Sequence, residues 1–208
     1  DGKSEQKCFV TITDDSGTFK KTLTLDVNIP EGMFTHFADD FSGNTHNWDG
    51  VNLPKKATVS VENGVLKLTS AGTNFNVNKA ENGVLQYKEV KGDFIVQGKV
   101  AAMAGEEEKK SPAYNEGGIL VLDDSNASAQ TILQIGAFPS YNCGNMLTVV
   151  GPHIGRPQFP SANGWDYNPY VQIERIGDVF YIRTSFDGKT WTDKAGSPVE
   201  LKELAGKT

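Results

Sequence analysis

The chain has 208 residues, enough for one large all-β domain or for one domain with an appendage. Hydrophobic residues make up 38% of it, and the 22 glycines bring the apolar share to roughly 49%, a globular composition that excludes a disordered or collagen-like chain. Twenty Lys and Arg against 26 Asp and Glu leave a net charge of −6 with no basic stripe, which argues against a nucleic-acid or anionic-membrane surface.

The chain begins at Asp1 rather than Met, as it would after removal of a leader or within a longer protein. No long window repeats apolar residues every three or four positions. Period-two runs dominate, separated by Gly, Asn, Asp and Pro, so strands are expected throughout. Cys8–Ile29 holds two alternating strands around Asp14-Asp15-Ser16-Gly17, and Pro30-Glu31-Gly32 stops them. Two strands do not make a stable domain by themselves. Residues 1–32 are therefore read as an N-terminal hairpin, and residues 33–208 as the main domain.

In Thr58–Thr69, Asn63-Gly64 supplies the two positive-φ positions of a type I′ turn. A two-residue loop pairs Glu62 with Val65, Val61 with Leu66, Ser60 with Lys67 and Val59 with Leu68. Val59, Val61, Leu66 and Leu68 then share one face, a sorting that a one-residue slip would scramble. Further strands are expected at Asn74–Asn78, Val84–Glu89, Asp93–Met103, Gly118–Asp123, Thr131–Phe138 and Asn145–Val150. In the third of these, Phe94, Val96 and Val100 alternate with Ile95, Gln97 and Lys99. Glu106–Lys110 reads as a solvated loop. Gly118–Leu122 is apolar on both faces, as a central strand covered on both sides would be. The longest apolar stretch, Gly117 to Leu122, is far too short to span a bilayer.

The most informative segment is Tyr170–Ser185. Gly177-Asp178 suits a type II′ turn, which pairs Ile176 with Val179, Arg175 with Phe180, Glu174 with Tyr181, Ile173 with Ile182 and Gln172 with Arg183. Val171, Ile173, Phe180 and Ile182 fall on one face and read as core. Tyr170, Gln172, Glu174, Tyr181, Arg183 and Ser185 fall on the other, which is polar and aromatic together. About a dozen short strands with turns between them mean a sandwich or a barrel.

Motifs of dedicated chemistry are few. Cys8 and Cys143 form no Cys-x-x-Cys; two separate buried thiols is the simpler reading and one disulfide the alternative. His36, His46 and His153 are dispersed without zinc-ligand spacing. No Gly-x-Ser-x-Gly elbow or phosphate-binding glycine loop occurs. No cofactor is expected, with a structural calcium ion as the one candidate. Asp124-Ser125-Asn126 begins like an oxygen-ligand loop but has Ala129 and Ile135 where an EF-hand needs Gly and Glu. Asp39 and Asp40 are the other oxygen-rich candidates.

Several stretches together resemble concanavalin A-like lectin/glucanase domains. They are Asp39-Asp40-Phe41-Ser42-Gly43 with Trp48, the hairpin Val61-Glu62-Asn63-Gly64-Val65-Leu66-Lys67-Leu68, Gly92-Asp93-Phe94, Asn115-Glu116-Gly117-Gly118-Ile119-Leu120-Val121, Ile173-Glu174-Arg175-Ile176-Gly177-Asp178, and Ser185-Phe186-Asp187-Gly188-Lys189-Thr190-Trp191. The set covers about residues 37–192 and is most similar to the uncharacterised accessory branch that includes C-terminal modules of family 43 xylosidases. The N-terminal hairpin resembles the last hairpin of a bacterial immunoglobulin-like or PKD-type repeat. The resemblance implies an antiparallel jelly-roll sandwich of two sheets preceded by a β-hairpin. It also implies a secreted, periplasmic or cell-surface setting in polysaccharide use, beside other domains or proteins of a glycan-processing system. Trp48 and Trp191, being in these motifs, are expected in the core.

Catalytic members of that superfamily carry Glu-x-Asp-x-(x)-Glu on one strand, and no Glu in this chain is followed two positions later by Asp. Glycoside hydrolysis needs paired carboxylates about 5–5.5 Å apart for retention, or roughly 6.5–9.5 Å for inversion. Glu116 and Glu174 are the candidate pair for such a mechanism, and packing of Glu174 against Tyr181 and Arg183 is the competing explanation. Carbohydrate binding fits the residues better. Sugars present C–H faces to aromatic rings and hydroxyls to planar polar groups. Two regions have that mixture. One is the face of Tyr170, Gln172 and Glu174 with Tyr181 and Arg183. The other is the loop from Phe159 to Tyr170, with Trp165, Asp166 and Tyr167, and with Asn115 and Glu116 expected nearby. A structural or adhesive surface module is the third reading, motivated by the N-terminal hairpin.

Overall fold

The computed structural model describes residues 6–13, 20–27, 39–42, 48–70, 83–102, 117–123, 131–137, 145–150 and 168–204. They are all-β: every strand pairing is antiparallel, and the only helical turn among them is a 3-10 turn at Lys202–Leu204. Among the described residues no sheet closes into a barrel. The expected strand Asn74–Asn78, the Asp14–Gly17 turn, the Glu106–Lys110 run and Cys143 lie outside the described residues.

The chain divides into two units, Asp1–Asn47 and Trp48–Thr208. In the first, β1 (Gln6–Thr13) and β2 (Lys20–Val27) pair from Gln6 opposite Val27 to Thr13 opposite Lys20. Asp39 and Asp40 each turn the chain locally. Asp39 Oδ1 accepts the Phe41 amide at 2.7 Å, and Asp40 Oδ1 accepts the Ser42 amide at 2.9 Å.

The second unit opens with β3 (Gly50–Asn52), then the hairpin β4 (Thr58–Glu62) and β5 (Val65–Thr69). Its register matches the expected pairing residue by residue, with φ of 53° at Asn63 and 74° at Gly64. Val61 and Leu68 on its apolar face are nonetheless exposed. β6 (Leu85–Tyr87) pairs with β3, where the Tyr87 ring lies against Gly50 so closely that any side chain there would collide with it.

Two sheets build the core. The larger contains β7 (Phe94–Lys99), β11 (Tyr170–Ile176), β12 (Val179–Ser185) and β13 (Thr192–Asp193) in the order β13-β12-β11-β7. A further strand, β14 (Val199–Glu200), pairs with the start of β12. The smaller contains β8 (Gly117–Asp123), β9 (Thr131–Ala137) and β10 (Asn145–Val150), with β9 in the middle. One buried cluster takes side chains from both: Leu133, Ile135, Leu147 and Val149 from the smaller sheet, Val171, Ile173, Phe180 and Ile182 from the larger, with Leu201 and Leu204. Alternation explains the assignment, since odd positions on β11 and even positions on β12 point to the same side.

Among the described residues β8 pairs along one edge, with β9. Both of its apolar faces are covered: Ile119 and Val121 pack on the main cluster, whereas Leu120 and Leu122 join Val150 and Leu85 in a second one. One expectation is corrected. Trp48 and Trp191 are half-buried rather than enclosed in the core.

The larger sheet is fastened at both ends. Asp93 Oδ1 accepts the Gly177 amide at 2.7 Å and so holds the β11–β12 turn, where Gly177 has φ 65°. Asn145, fully buried at the start of β10, reaches the chain just before β11. Its Oδ1 accepts the Asn168 amide at 2.6 Å, and its Nδ2 donates to the Asn168 carbonyl at 3.0 Å. Asn168 Nδ2 in turn donates to Thr184 Oγ1 at 3.1 Å. One amide side chain thus bridges the two sheets.

Candidate functional site

The β11–β12 register is the expected one at every pair, and β7 continues it on the other edge. Gln97, Gln172, Arg183 and Asp193 therefore stand in one row across β7, β11, β12 and β13. They point away from the core, because each alternates with a core residue: Val96, Ile173, Ile182 and their neighbours. The row is joined side chain to side chain. Gln172 Nε2 donates to Gln97 Oε1 at 2.8 Å. Arg183 Nη1 donates to Gln172 Oε1 at 2.9 Å, and Arg183 Nε donates to Asp193 Oδ1 at 3.1 Å. Arg183 Nη1 also reaches diagonally to Glu174 Oε2 at 2.7 Å.

Two tyrosines flank the row. Tyr170 is opposite Lys99 and Ser185, and Tyr181 is opposite Glu174. They lie four residues apart along the strand direction, roughly 14 Å, with the row between them. The Lys99 ammonium is 5.8 Å from the Tyr170 ring centre, and the Arg183 guanidinium 5.5 Å from that of Tyr181. Gln172, held between Gln97 and Arg183, retains only 8% exposure. The hydrogen bond to the Glu174 carboxylate raises the Arg183 pKa above its ordinary value, opposed by burial and helped by Asp193. Half-exposed ion pairs of this kind contribute about 0–1 kcal/mol of stability. Their principal effect is to fix the guanidinium plane.

The turn after β12 supports Tyr170 from below. Asp187 Oδ1 accepts the Lys189 and Thr190 amides, both at 2.8 Å, and the Ser185 hydroxyl at 3.0 Å. The Gly188 amide donates to Ser185 Oγ at 2.9 Å. Gly188 has φ 73°, and a Cβ there would stand 3.1 Å from the Tyr170 ring. The backbone donors of Thr190 and then Lys189 lower the Asp187 pKa from 3.8 to about 2. The folded form is thus the stronger acid. Its stabilisation is complete above about pH 4 and is lost as pH falls through about 2. Asp187→Asn is expected to melt at a lower temperature than the wild type at pH 6. The gap should narrow as both are acidified from about pH 4 to about pH 2. A gap independent of pH over that range would count against the carboxylate as its source.

The structure brings five expected site residues onto one face: Tyr170, Gln172, Glu174, Tyr181 and Arg183. Asn115, Glu116, Asp124, Trp165, Asp166 and Tyr167 lie outside the described residues, so neither the aromatic loop nor the Glu116–Glu174 pair enters this geometry. Among the described residues, no three His, Cys, Asp or Glu side chains come together as a cation site. Sequence reasoning missed Gln97 and Asp193, which join the face only through pairings distant along the chain. It also missed the support given by Asp187 and Gly188, whose signal was the turn chemistry of Ser-x-Asp-Gly. Phe186, 78% exposed in that turn, is another residue it passed over.

No family model, curated protein or solved structure matches the chain. No helix among the described residues is long and apolar enough to cross a membrane.

Proposed function

We propose that this chain is a carbohydrate-binding module of the concanavalin A-like superfamily, with the outer face of β7, β11, β12 and β13 as its sugar-binding surface. On this reading the two core sheets belong to a jelly-roll sandwich, with the N-terminal hairpin as a link to an immunoglobulin-like neighbour. It acts in polysaccharide recognition at a secreted, periplasmic or cell-surface location. The observation that carries the reading is the cross-strand row Gln97–Gln172–Arg183–Asp193, held in fixed geometry between Tyr170 and Tyr181. Prealigned planar donors and acceptors beside aromatic rings are what a sugar's hydroxyls and C–H faces require. Fixing them in advance spares the entropy of ordering them on binding.

Retention in affinity gels containing plant or host polysaccharides, followed by titration of the matching oligosaccharide, tests this. Wild-type protein is expected to be retained, and Tyr170→Ala to bind about tenfold more weakly with little change in fold. No retention by any polysaccharide, or equal affinity in Tyr170→Ala, would overturn the proposal.

A further inference from the structure

We infer that the β7–β11–β12–β13 face selects uncharged glycans and rejects acidic ones, with Glu174 and Asp193 as the residues that set this preference; the inference rests on the carbohydrate-binding reading above. The observation is the state of Arg183, the guanidinium that the described residues place on the face. Arg is the side chain best suited to take a carboxylate or sulfate in a two-pronged grip. In this row that grip is already occupied: Nη1 is held by Glu174 Oε2 at 2.7 Å and by Gln172 Oε1 at 2.9 Å, and Nε by Asp193 Oδ1 at 3.1 Å.

Among the described residues of these four strands, the face carries two carboxylates, Glu174 and Asp193, against two cations, Arg183 and Lys99. An acidic sugar would have to displace a carboxylate from Arg183 and then lie beside it. Like charges brought together in this way repel, which disfavours the acidic ligand. Lys99 stands two strands away from Arg183 and over the Tyr170 ring, so it offsets this repulsion only for an acidic group seated at that ring and not for one at the row. The chain's net charge of −6 adds a long-range repulsion of the same sign. A neutral sugar meets none of these costs. Its adjacent hydroxyls can donate to Glu174 and Asp193 and accept from Arg183 Nη2, which takes no part in those bonds, leaving the ion pairs intact.

The test compares a panel of neutral polysaccharides (glucans, mannans, xylans, galactans) with an acidic panel (polygalacturonate, alginate, a sulfated galactan). Measurements run from about 20 to about 500 mM NaCl, which takes charge screening from weak to nearly complete. Wild-type protein is expected to bind at least one neutral polymer, with affinity changing less than about twofold across that range, and no acidic polymer. The double variant Glu174→Gln with Asp193→Asn frees the guanidinium. It is expected to gain at least about tenfold in affinity for an acidic polymer at low salt, and to lose that gain as salt rises. Acidic polymers bound by the wild type in preference to neutral ones would overturn the inference while leaving carbohydrate binding intact. Binding to neither panel would remove the underlying reading and this inference with it. The wild-type comparison decides the matter even if the double variant does not fold.

Discussion

Replacing Phe180 by Ala is expected to destabilise the fold by about 3–5 kcal/mol, the largest single effect in the described residues. Phe180 is fully buried in the cluster shared by both sheets. Its ring meets Phe94 edge-on, with centroids 6.4 Å apart and planes at 67°. Truncation removes that contact and leaves a cavity, which rigid sheet backbones on either side cannot collapse to fill. A second loss follows. The Arg175 guanidinium lies 5.8 Å from the Phe180 ring while Nη2 donates to the Leu204 carbonyl at 2.8 Å and Nε to the Gly177 carbonyl at 2.7 Å. Arg175 is itself buried, so its position depends on the ring beneath it. The effects of Phe180→Ala and Arg175→Ala should therefore not add in a double-mutant cycle. Urea denaturation measures the loss of stability, and thermal melting is expected to show a fall in melting temperature of roughly 10–15 °C for a chain of this size. A loss under about 1 kcal/mol would show that Phe180 is not the keystone of the core.

Asn145→Leu is expected to cost about 2–3 kcal/mol, although Leu is similar in size and far more apolar. The gain in apolar character is outweighed by what it strands: the Asn168 amide and carbonyl both lose the partner that Asn145 supplies at 2.6 and 3.0 Å. Backbone groups stripped of water and left unpaired are among the costliest defects a fold can carry. Thermal melting gives the magnitude. Amide hydrogen exchange at Asn168 gives the cause, since protection there should fall far more than at Ile173 in mid-strand. Equal loss of protection at both positions would mean that the substitution loosens the whole sheet rather than the bridge between sheets.

The parts of the fold legible in the sequence are those where local chemistry fixes geometry. Asn63-Gly64 and Gly177-Asp178 each define a turn, and a defined turn plus alternation fixes every pair in the hairpin. That is why the sequence alone places Tyr170, Gln172, Glu174, Tyr181 and Arg183 on one face. The strands β3, β13 and β14 are not legible, since two or three residues are too few to show a period. Nor is the far edge of the face. Gln97 alternates visibly with Val96, but its pairing with Gln172 spans 75 positions and no turn sets that register. Asp193 comes in through a two-residue ladder. The neighbours of β8 are not legible either: apolar residues on both faces report burial above and below a strand, not what lies beside it.

Odd positions on β11 and even positions on β12 face the apolar cluster, and the remaining positions face the other side, where Gln172 and Ser185 are covered by their neighbours. Gln97, Tyr170, Gln172, Glu174, Tyr181, Arg183 and Asp193 can thus be varied together without altering a single interior methyl group. Lineages, and laboratory libraries, are free to rewrite the chemistry of this wall while the scaffold behind it stays constant.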